Sequence, residues 1–502
     1  MNHRPNIYQK SQRVKLYLLN WLLVLGTILV IAIATLYPFK FLLPHSFSAA
    51  DFFASFNNTS SFQDQVNNVL LFMPLGFYCA NLLQKLQVRL IFQIIIVLLL
   101  SAGFSLTVET LQIFLPSRSP TPADIFNNTL GGCLGLFGFY FWNYQSLTRM
   151  GLEITGNSSR LSNQKITGFI LAYLSFTLVI SLFWQSTTNL SNWNLNYPLL
   201  LGNERDGNRP WQGYISEVYI TDRAISNYEA RKALDDANYW QNLGNSLVAN
   251  YQLNGNCCQQ EQTGNLPELL WQGTPTNIQN HEGVFLNSSQ WLITATSVKN
   301  LSQKISRSSE FTLITHVATN NTQQTGPARI ISISGDYLRR NLTLSQEGNS
   351  LDLRLRTPLT GENGSDIQIM IPNVFTDKKF HQIIITYARG TVQFYIDTVK
   401  RAYSFNLLDL IPLNQKVFYY ALTFIPLGAS LAILSLFAKN RVIFSRLMIG
   451  SGILLPSIIL ETMLISENHK SLSWKNLLLG ILFTAGTILI FRIRGEYLKA
   501  RT

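Results

Sequence analysis

Six polar residues within twenty positions raise the first chemical question: Glu109, Gln112, Arg118, Asp124, Asn127 and Asn128. Two carboxylates beside an arginine are the groups of acid–base work on an anionic substrate. Glu109 or Asp124 would exchange a proton, and Arg118 would hold a phosphate. The same groups also tie helix ends together as ion pairs, and the sequence leaves the two readings open. On helices, Glu109 and Gln112 are neighbours one turn apart, and Asp124, Asn128, Gly131, Gly135 and Gly138 form one stripe. The glycine end of that stripe admits close helix contact.

The elements that must position these residues are apolar runs. About twenty mostly apolar residues cross a bilayer core, and eight such runs occur, near 16–36, 66–84, 90–113, 124–143, 166–186, 417–437, 443–465 and 473–491. The first is too long for a secretory signal core and lacks a small-residue cleavage site, so it reads as a retained span. Of 502 residues, 47% are hydrophobic and only 13% charged. Residues 187–415 hold 18 Lys/Arg against 19 Asp/Glu, so the net charge of +12 comes from the remainder, with 21 against 8. A basic excess in the short flanks of apolar runs is the positive-inside signal and argues against nucleic acid. Arg4, Lys10, Arg13 and Lys15 precede the first span, and Arg492, Arg494, Lys499 and Arg501 follow the last. Both termini are therefore expected in the cytoplasm and residues 187–415 outside. The expected division is a cytoplasmic N-terminus (1–15), a four-span unit (16–145), a cytoplasmic loop (146–165), a fifth span (166–186), the external block (187–415), spans six to eight (416–492) and a cytoplasmic tail (493–502).

This topology gathers the polar residues at the outer membrane boundary. Glu109 and Gln112 end the third span, Arg118 lies in the external loop, and Asp124, Asn127 and Asn128 begin the fourth. Asn67 and Asn68 enter the second span at the same depth. A carboxylate facing lipid is costly, so Glu109 and Asp124 are expected to face each other, Arg118 or a water-filled crevice.

The chain also repeats itself. FMPLG at 72–76 recurs as FIPLG at 424–428, and Glu109-Thr110 recurs as Glu461-Thr462, both 352 residues on. At the same offset Arg89-Leu-Ile-Phe92 matches Arg441-Val-Ile-Phe444, and Asp124 matches Asn476. The membrane part thus reads as a duplicated four-span unit. Four spans is an even number, so the copies share orientation, with a pseudo-twofold axis along the membrane normal. The second copy has lost chemistry: Asn67-Asn68 has become Tyr419-Tyr420, Gln112 has become Leu464 and Asn128 has become Gly480.

Asn68, Phe72, Pro74 and Gly76, then Glu109, Gln112, Arg118, Asp124, Asn128, Gly131 and Gly135, together resemble the VanZ-like family of small bacterial membrane proteins over about 1–145. The resemblance implies a role in the cell envelope, in the bacterial inner membrane, and identifies no reaction.

In residues 187–415 short alternating runs such as FTLITHV, ARIISIS, LDLRLR and HQIIITY stand between turn signals, which predicts an all-β sandwich. In LDLRLRT, Leu351, Leu353 and Leu355 take one face and Asp352, Arg354 and Arg356 the other. The first face is expected to pack and the second to meet water. The segments FTLITHV, FHQIIITYARGTVQFYID and LGNERDGNRPWQGYISEVYITDRAIS resemble the laminin-G and concanavalin A-like jelly rolls, but the piece that usually comes last, Gly213 to Ser226, comes first. The domain reads as circularly permuted and inserted in the membrane protein. The resemblance implies binding of an envelope glycan or an envelope protein, with calcium possible. Arg329, Arg354 and Arg356, with Arg339 and Arg340, would read an anionic glycan through paired contacts, and Trp211, Trp271 or Trp291 would stack on sugar. The alternative is that the arginines pair with Asp336, Asp352 or Glu362 and the tryptophans are core. His381 reads as structural.

No GxSxG, HExxH, Walker or CxxC arrangement is present, the six histidines lack metal-ligand spacing, and no cofactor is assigned. Cys257 and Cys258 are adjacent and give no disulfide framework. The expected function is an envelope membrane protein presenting a glycan- or protein-binding sandwich, its partners being membrane lipid and that ligand. A membrane-embedded enzyme on lipid-linked or lipid headgroup substrates is the second reading, and a transporter, favoured by the repeat with Pro74 and Pro426, the third.

Overall fold

The computed structural model describes residues 7–42, 62–115, 120–143, 163–236, 238–253, 261–274, 283–437, 442–468 and 472–499. Arg118 lies outside the described residues. The chain divides into two compact units. One is Met1–Tyr173 with Phe418–Leu455 and Leu479–Thr502, and the other is Leu174–Val417 with Pro456–Leu478.

Long helices stand at all eight expected runs: α1 (Ile7–Leu36), α2 (Phe62–Lys85), α3 (Leu90–Gln112), α4 (Pro122–Trp142), α5 (Asn163–Ser186), α8 (Leu413–Phe437), α9 (Val442–Asn468) and α10 (Trp474–Lys499). Among the described residues, six helical stretches are long and apolar enough to cross a membrane: Leu18–Leu36, Phe62–Lys85, Leu90–Gln112, Thr167–Ser186, Ile449–Ser466 and Trp474–Arg494.

The helices α1 to α4 share an apolar core in which Val24 and Ile31 of α1 and Phe72, Leu75 and Cys79 of α2 pack with Val97 of α3 and Leu136 and Phe139 of α4. Glycines bring α2 and α4 into backbone contact. A methyl group at Gly135 would lie 1.9 Å from the Met73 carbonyl oxygen, one at Gly131 2.3 Å from that of Val69, and one at Gly76 1.8 Å from that of Gly132. Val69 and Met73 are one turn apart, as are Gly131 and Gly135, so the stripe read from the sequence is a helix crossing. Gly138 meets nothing closer than 3.9 Å and lies at its edge.

The second unit contains two sheets of seven strands and six strands plus a side strand, all antiparallel. The first runs β11 (Ile369–Ile371), β10 (Ser350–Leu355), β9 (Arg340–Glu347), β8 (Ala328–Ser334), β1 (Leu199–Leu201), β6 (Gln290–Thr294) and β4 (Leu269–Gly273). The second runs β14 (Thr398–Asn406), β13 (Thr391–Ile396), β12 (His381–Ala388), β7 (Glu310–Thr319), β2 (Gly213–Thr221) and β3 (Leu247–Gln252), with β5 (Val284–Leu286) paired to β2. Although they come first in the chain, β1 and β2 lie inside the sheets: β1 between β8 and β6, β2 between β7 and β3.

Alternation gives each strand its two faces. Leu342 and Leu344 of β9, Ile331 and Ile333 of β8 and Leu351, Leu353 and Leu355 of β10 share the apolar face of the first sheet. The second sheet is apolar on its outer side as well: Tyr219, Ile314, Ile384 and Tyr395 pack with Ala230 and Ala233 of α6 (Asn227–Asp235). A capping box starts α6, the Ser226 side chain accepting from the Glu229 N–H and the Glu229 side chain accepting from the Ser226 N–H. A further helix, α7 (Lys299–Ser308), precedes β7.

Candidate functional site

The polar groups of the helical unit form a buried seam. Along α3, Gln93, Ser101, Ser105 and Glu109 fall at multiples of four residues, Gln112 follows, and all are buried. Four-residue steps keep them near one face, and α4 answers with Asn127, Asn128, Gly131 and Gly132. Glu109 Oε2 accepts the Thr121 N–H at 3.0 Å. Thr121 is the N-cap of α4, and its hydroxyl oxygen accepts the Asp124 N–H at 3.1 Å. One carboxylate thus fixes the corner between α3 and α4. Asp124 is a like-charged neighbour of that carboxylate.

One turn below, Asn128 Nδ2 donates to Ser105 Oγ at 2.9 Å. Gln112 donates across to the Thr35 carbonyl of α1 at 3.0 Å. At the far end of α3 the Tyr140 hydroxyl donates to Gln93 Oε1 at 2.8 Å. The structure therefore brings Glu109, Gln112, Asp124, Asn127 and Asn128 together at one pair of helix ends. Asn67 is exposed, its side chain accepting from Gln63 at 3.0 Å, and Asn68 is half-buried. Ser101, Ser105 and Thr121 were not singled out from the sequence; the first two carry the signal of four-residue spacing from Glu109.

A second site lies on the polar face of the first sheet. Cross-strand register places Arg329, Ser345 and Asp352 in one row and Ser332, Thr343 and Arg354 in the next, with Ser334 opposite Arg340. The turn after β1 adds Glu204, which accepts from Ser334 Oγ and lies 3.4 Å from Arg329 Nε. The expectation that this face meets water is overturned for Asp352 and Arg356, while Arg354 is half-buried. Asp352 and Arg340 are 0% exposed, Arg329 is 1% and Arg356 is 3%. The alternation marked correctly which face is polar, but it does not encode how far that face is enclosed.

Enclosure makes the charges matter. Arg354 Nε lies 3.3 Å from Asp352 Oδ2, which also accepts from Ser345 at 3.0 Å. Arg356 Nη1 lies 3.2 Å from Glu362, and the mostly exposed Arg339 lies 2.5 Å from Asp336. The pairing alternative read from the sequence is thus realised for three of the arginines. Burial pushes Arg329 down to about 10, against the pull of Glu204. Burial and the like charge of Arg329 push Arg340 down to about 9. Burial raises Glu204 above the usual carboxylate range, against the Ser334 hydrogen bond and Arg329.

Trp211 is fully buried, its indole N–H donating to Gln346 Oε1 at 2.8 Å, so it does not stack on an external ring. Trp271 and Trp291 are half-buried. His381 is buried at the start of β12, with Nδ1 2.8 Å from Asp397 Oδ2. Among the described residues no group of three His, Cys, Asp or Glu side chains is placed to hold a metal ion.

Comparison with known proteins follows this division. Residues 11–143, the segment that contains the buried seam, match the VanZ/LLP1 family. Residues 293–421 match the concanavalin A-like lectin/glucanases superfamily. This second match begins within β6, and strands β1 to β5 before it complete the same two sheets. Neither a curated protein nor a solved structure matches the chain. The apolar helices and the VanZ-type segment make it a membrane protein joined to a concanavalin A-like β domain.

Proposed function

We propose that this VanZ-like membrane protein resides in the bacterial inner membrane and presents residues 187–415 outside it, where the polar face of the first sheet binds an envelope glycan. The observation that carries the reading is that face itself. A sheet needs one apolar face to fold, and this one devotes the other to Arg329, Arg340, Arg354, Asp352 and Glu204, with buried donors and acceptors left over at Arg340 Nε and Nη1 and Asp352 Oδ1. Fold by itself does not assign a ligand; unspent hydrogen-bonding capacity in an enclosed polar site is what supports one.

The membrane body is, on this reading, a duplicated four-span unit. Contacts at the 352-residue offset support it. Gly76 abuts the Gly132 carbonyl, and Gly428 abuts the Thr484 carbonyl, where a methyl group would lie at 2.7 Å. Thr121 caps Asp124, and Ser473 caps Asn476 at 3.3 Å. A residue near a twofold axis touches its own counterpart, as Trp142 does with Arg494, whose guanidinium lies 5.2 Å from the ring centroid; Phe62 and Gln65 meet Phe418 and Tyr419, a few residues from their counterparts. The β domain would then be a permuted jelly roll inserted in the second copy, its early strands β1 and β2 filling interior places in the sheets.

The test is binding of the full chain in lipid nanodiscs to a panel of envelope glycans, paired with cysteine labelling in a background lacking the four native cysteines. Tyr228→Cys, 66% exposed in the wild-type residue, should react with an impermeant maleimide in intact spheroplasts, and Tyr497→Cys only after lysis. Retention of no glycan by the folded protein, or the opposite labelling pattern, sinks the proposal.

A further inference from the structure

Four of the arginines around the polar face have counter-ions: Arg329 has Glu204, Arg354 has Asp352, Arg356 has Glu362 and Arg339 has Asp336. Arg340 makes no such close ion pair among the described residues, although Glu204 and Asp352 act on its charge from farther off. It is 0% exposed and sits at the start of β9, opposite Ser334. Its Nη2 donates to the Tyr337 carbonyl, while Nε and Nη1 are buried without a hydrogen-bond partner. A guanidinium does not shed its proton at neutral pH, so unlike a buried lysine it cannot escape burial by neutralising. Even after burial and Arg329 have pushed it down to about 9, it stays charged at pH 7.

A buried cation with two idle donors and no carboxylate in direct contact is costly unless an anion completes it. Hydroxyls of Ser332, Ser334 and Thr343 share the face, hydrogen-bonded in a chain that ends on Glu204, and Arg329 adds a second positive charge. Glu204, from the turn after β1, reaches Arg340 with its charge but is engaged directly by Ser334 and Arg329. Aromatic stacking is not what this face offers, because it carries charge and hydroxyls rather than rings.

We propose that Arg340 is the anchor of an anion-binding site on the polar face of the first sheet, taking a small oxyanion, a carboxylate or a phosphate, either free or as the acidic group of a sugar. This rests on the reading of that face as a binding surface and narrows its ligand to the acidic class.

The experiment is calorimetric titration of the full chain in nanodiscs at pH 7 with three probes: inorganic phosphate, glucuronate and glucose. At least one acidic probe should bind once per chain and glucose should not. Phosphate alone assigns a phosphate ligand; glucuronate alone assigns a carboxylate. Charge-assisted hydrogen bonds are the strong ones, so Arg340→Met should weaken that binding by roughly 100-fold or more. Arg339→Ala, next to it but ion-paired and mostly exposed, should leave it unchanged. Arg340→Lys keeps the charge without the planar fork and should weaken binding by about tenfold, which guards against a Met variant that fails to fold. Acidic probes that bind neither wild type nor variants, or that bind Arg340→Met as well as wild type, overturn the anion site. Retention of a neutral envelope glycan by that same protein would leave the broader reading of the face standing.

Discussion

Replacing Gly135 by alanine tests whether the α2–α4 crossing holds the helical unit together. The new methyl group would lie 1.9 Å from the Met73 carbonyl oxygen and 2.8 Å from the Phe77 amide nitrogen, both backbone atoms that cannot rotate away. Ordinary contact begins near 3.4 Å, so α2 and α4 must part by about 1.5 Å locally. A gap of ~0.5–1 Å already forfeits a quarter to a half of the dispersion attraction, and Val69, Gly76 and Gly132 lie along the same seam. Overpacking costs about 1–3 kcal/mol, and rigid backbone on both sides places this case at the upper end, about 3 kcal/mol or roughly 100-fold in an opening equilibrium. Cys79, buried in the adjoining core of α2, reports that opening through its rate of reaction with a thiol reagent, in a protein whose other cysteines are replaced. Gly135→Ala should accelerate Cys79 labelling by about two orders of magnitude. Gly103→Ala, with nothing within 4 Å of the added methyl group, should not accelerate it. Equal rates for the two variants would refute the claim that this crossing is set by backbone contact.

Two further perturbations address the β domain. Glu204→Ala strands the Arg329 guanidinium in a buried site and should cost about 3–5 kcal/mol in thermal or chemical unfolding, whereas Glu204→Ala with Arg329→Met should recover most of it; an additive double mutant would show that the pair does not interact. The second is a pH dependence. The hydrogen bond that His381 donates to Asp397 raises His381 above 6.5, outweighing burial, so its contribution is full below about 6.5 and fades as pH climbs through the raised value. Burial pushes Asp397 up, but His381 and the Gln382 N–H hold it below 3.8, so its contribution is present above 3.8 and fades as pH falls through the lowered value. The melting-temperature gap between wild type and Asp397→Asn should therefore be widest between these limits and shrink on either side. A gap independent of pH would contradict the pair.

How much of this was legible in the sequence depended on whether the partner of each residue carries a side-chain signal. A close helix contact at the α4 stripe was readable because glycines at helical spacing advertise it, though not that α2 is the partner, and the two faces of β10 were readable because leucine and charge alternate there. The partner of Glu109 was not readable: it is a backbone N–H twelve residues on, and every residue has one. Arg339 and Arg340 look interchangeable as text. In the fold the first is mostly exposed with Asp336, and the second is fully buried with no close ion pair among the described residues: Arg339 closes the turn after β8, and Arg340 begins β9. Glu204 was missed since it arrives from a turn, with no period to announce it.

On the proposed duplication, comparing the two copies separates the roles within the buried seam. Residues that build the α3–α4 corner have counterparts in the second copy: Ser105 in Ser457, Glu109 in Glu461, and the capping Thr121 in Ser473. Ser457 and Glu461 are buried, as Ser105 and Glu109 are. A carboxylate that persists where its neighbours change, and that already accepts a backbone N–H, belongs with the scaffold. The groups confined to the first copy include Ser101, Gln112, Asn127, Asn128 and the charge of Asp124, whose positions hold Ile453, Leu464, Leu479, Gly480 and Asn476 in the second. Gln112 uses its amide to reach the Thr35 carbonyl of α1, a packing role peculiar to that copy. Asn128 donates to Ser105, yet its Oδ1 is buried with no hydrogen-bond partner among the described residues. An acceptor left open in the apolar interior has a cost that packing does not return. The chemistry of the helical unit is therefore to be sought at Asn128 before Glu109, although the carboxylate is the residue that first draws the eye.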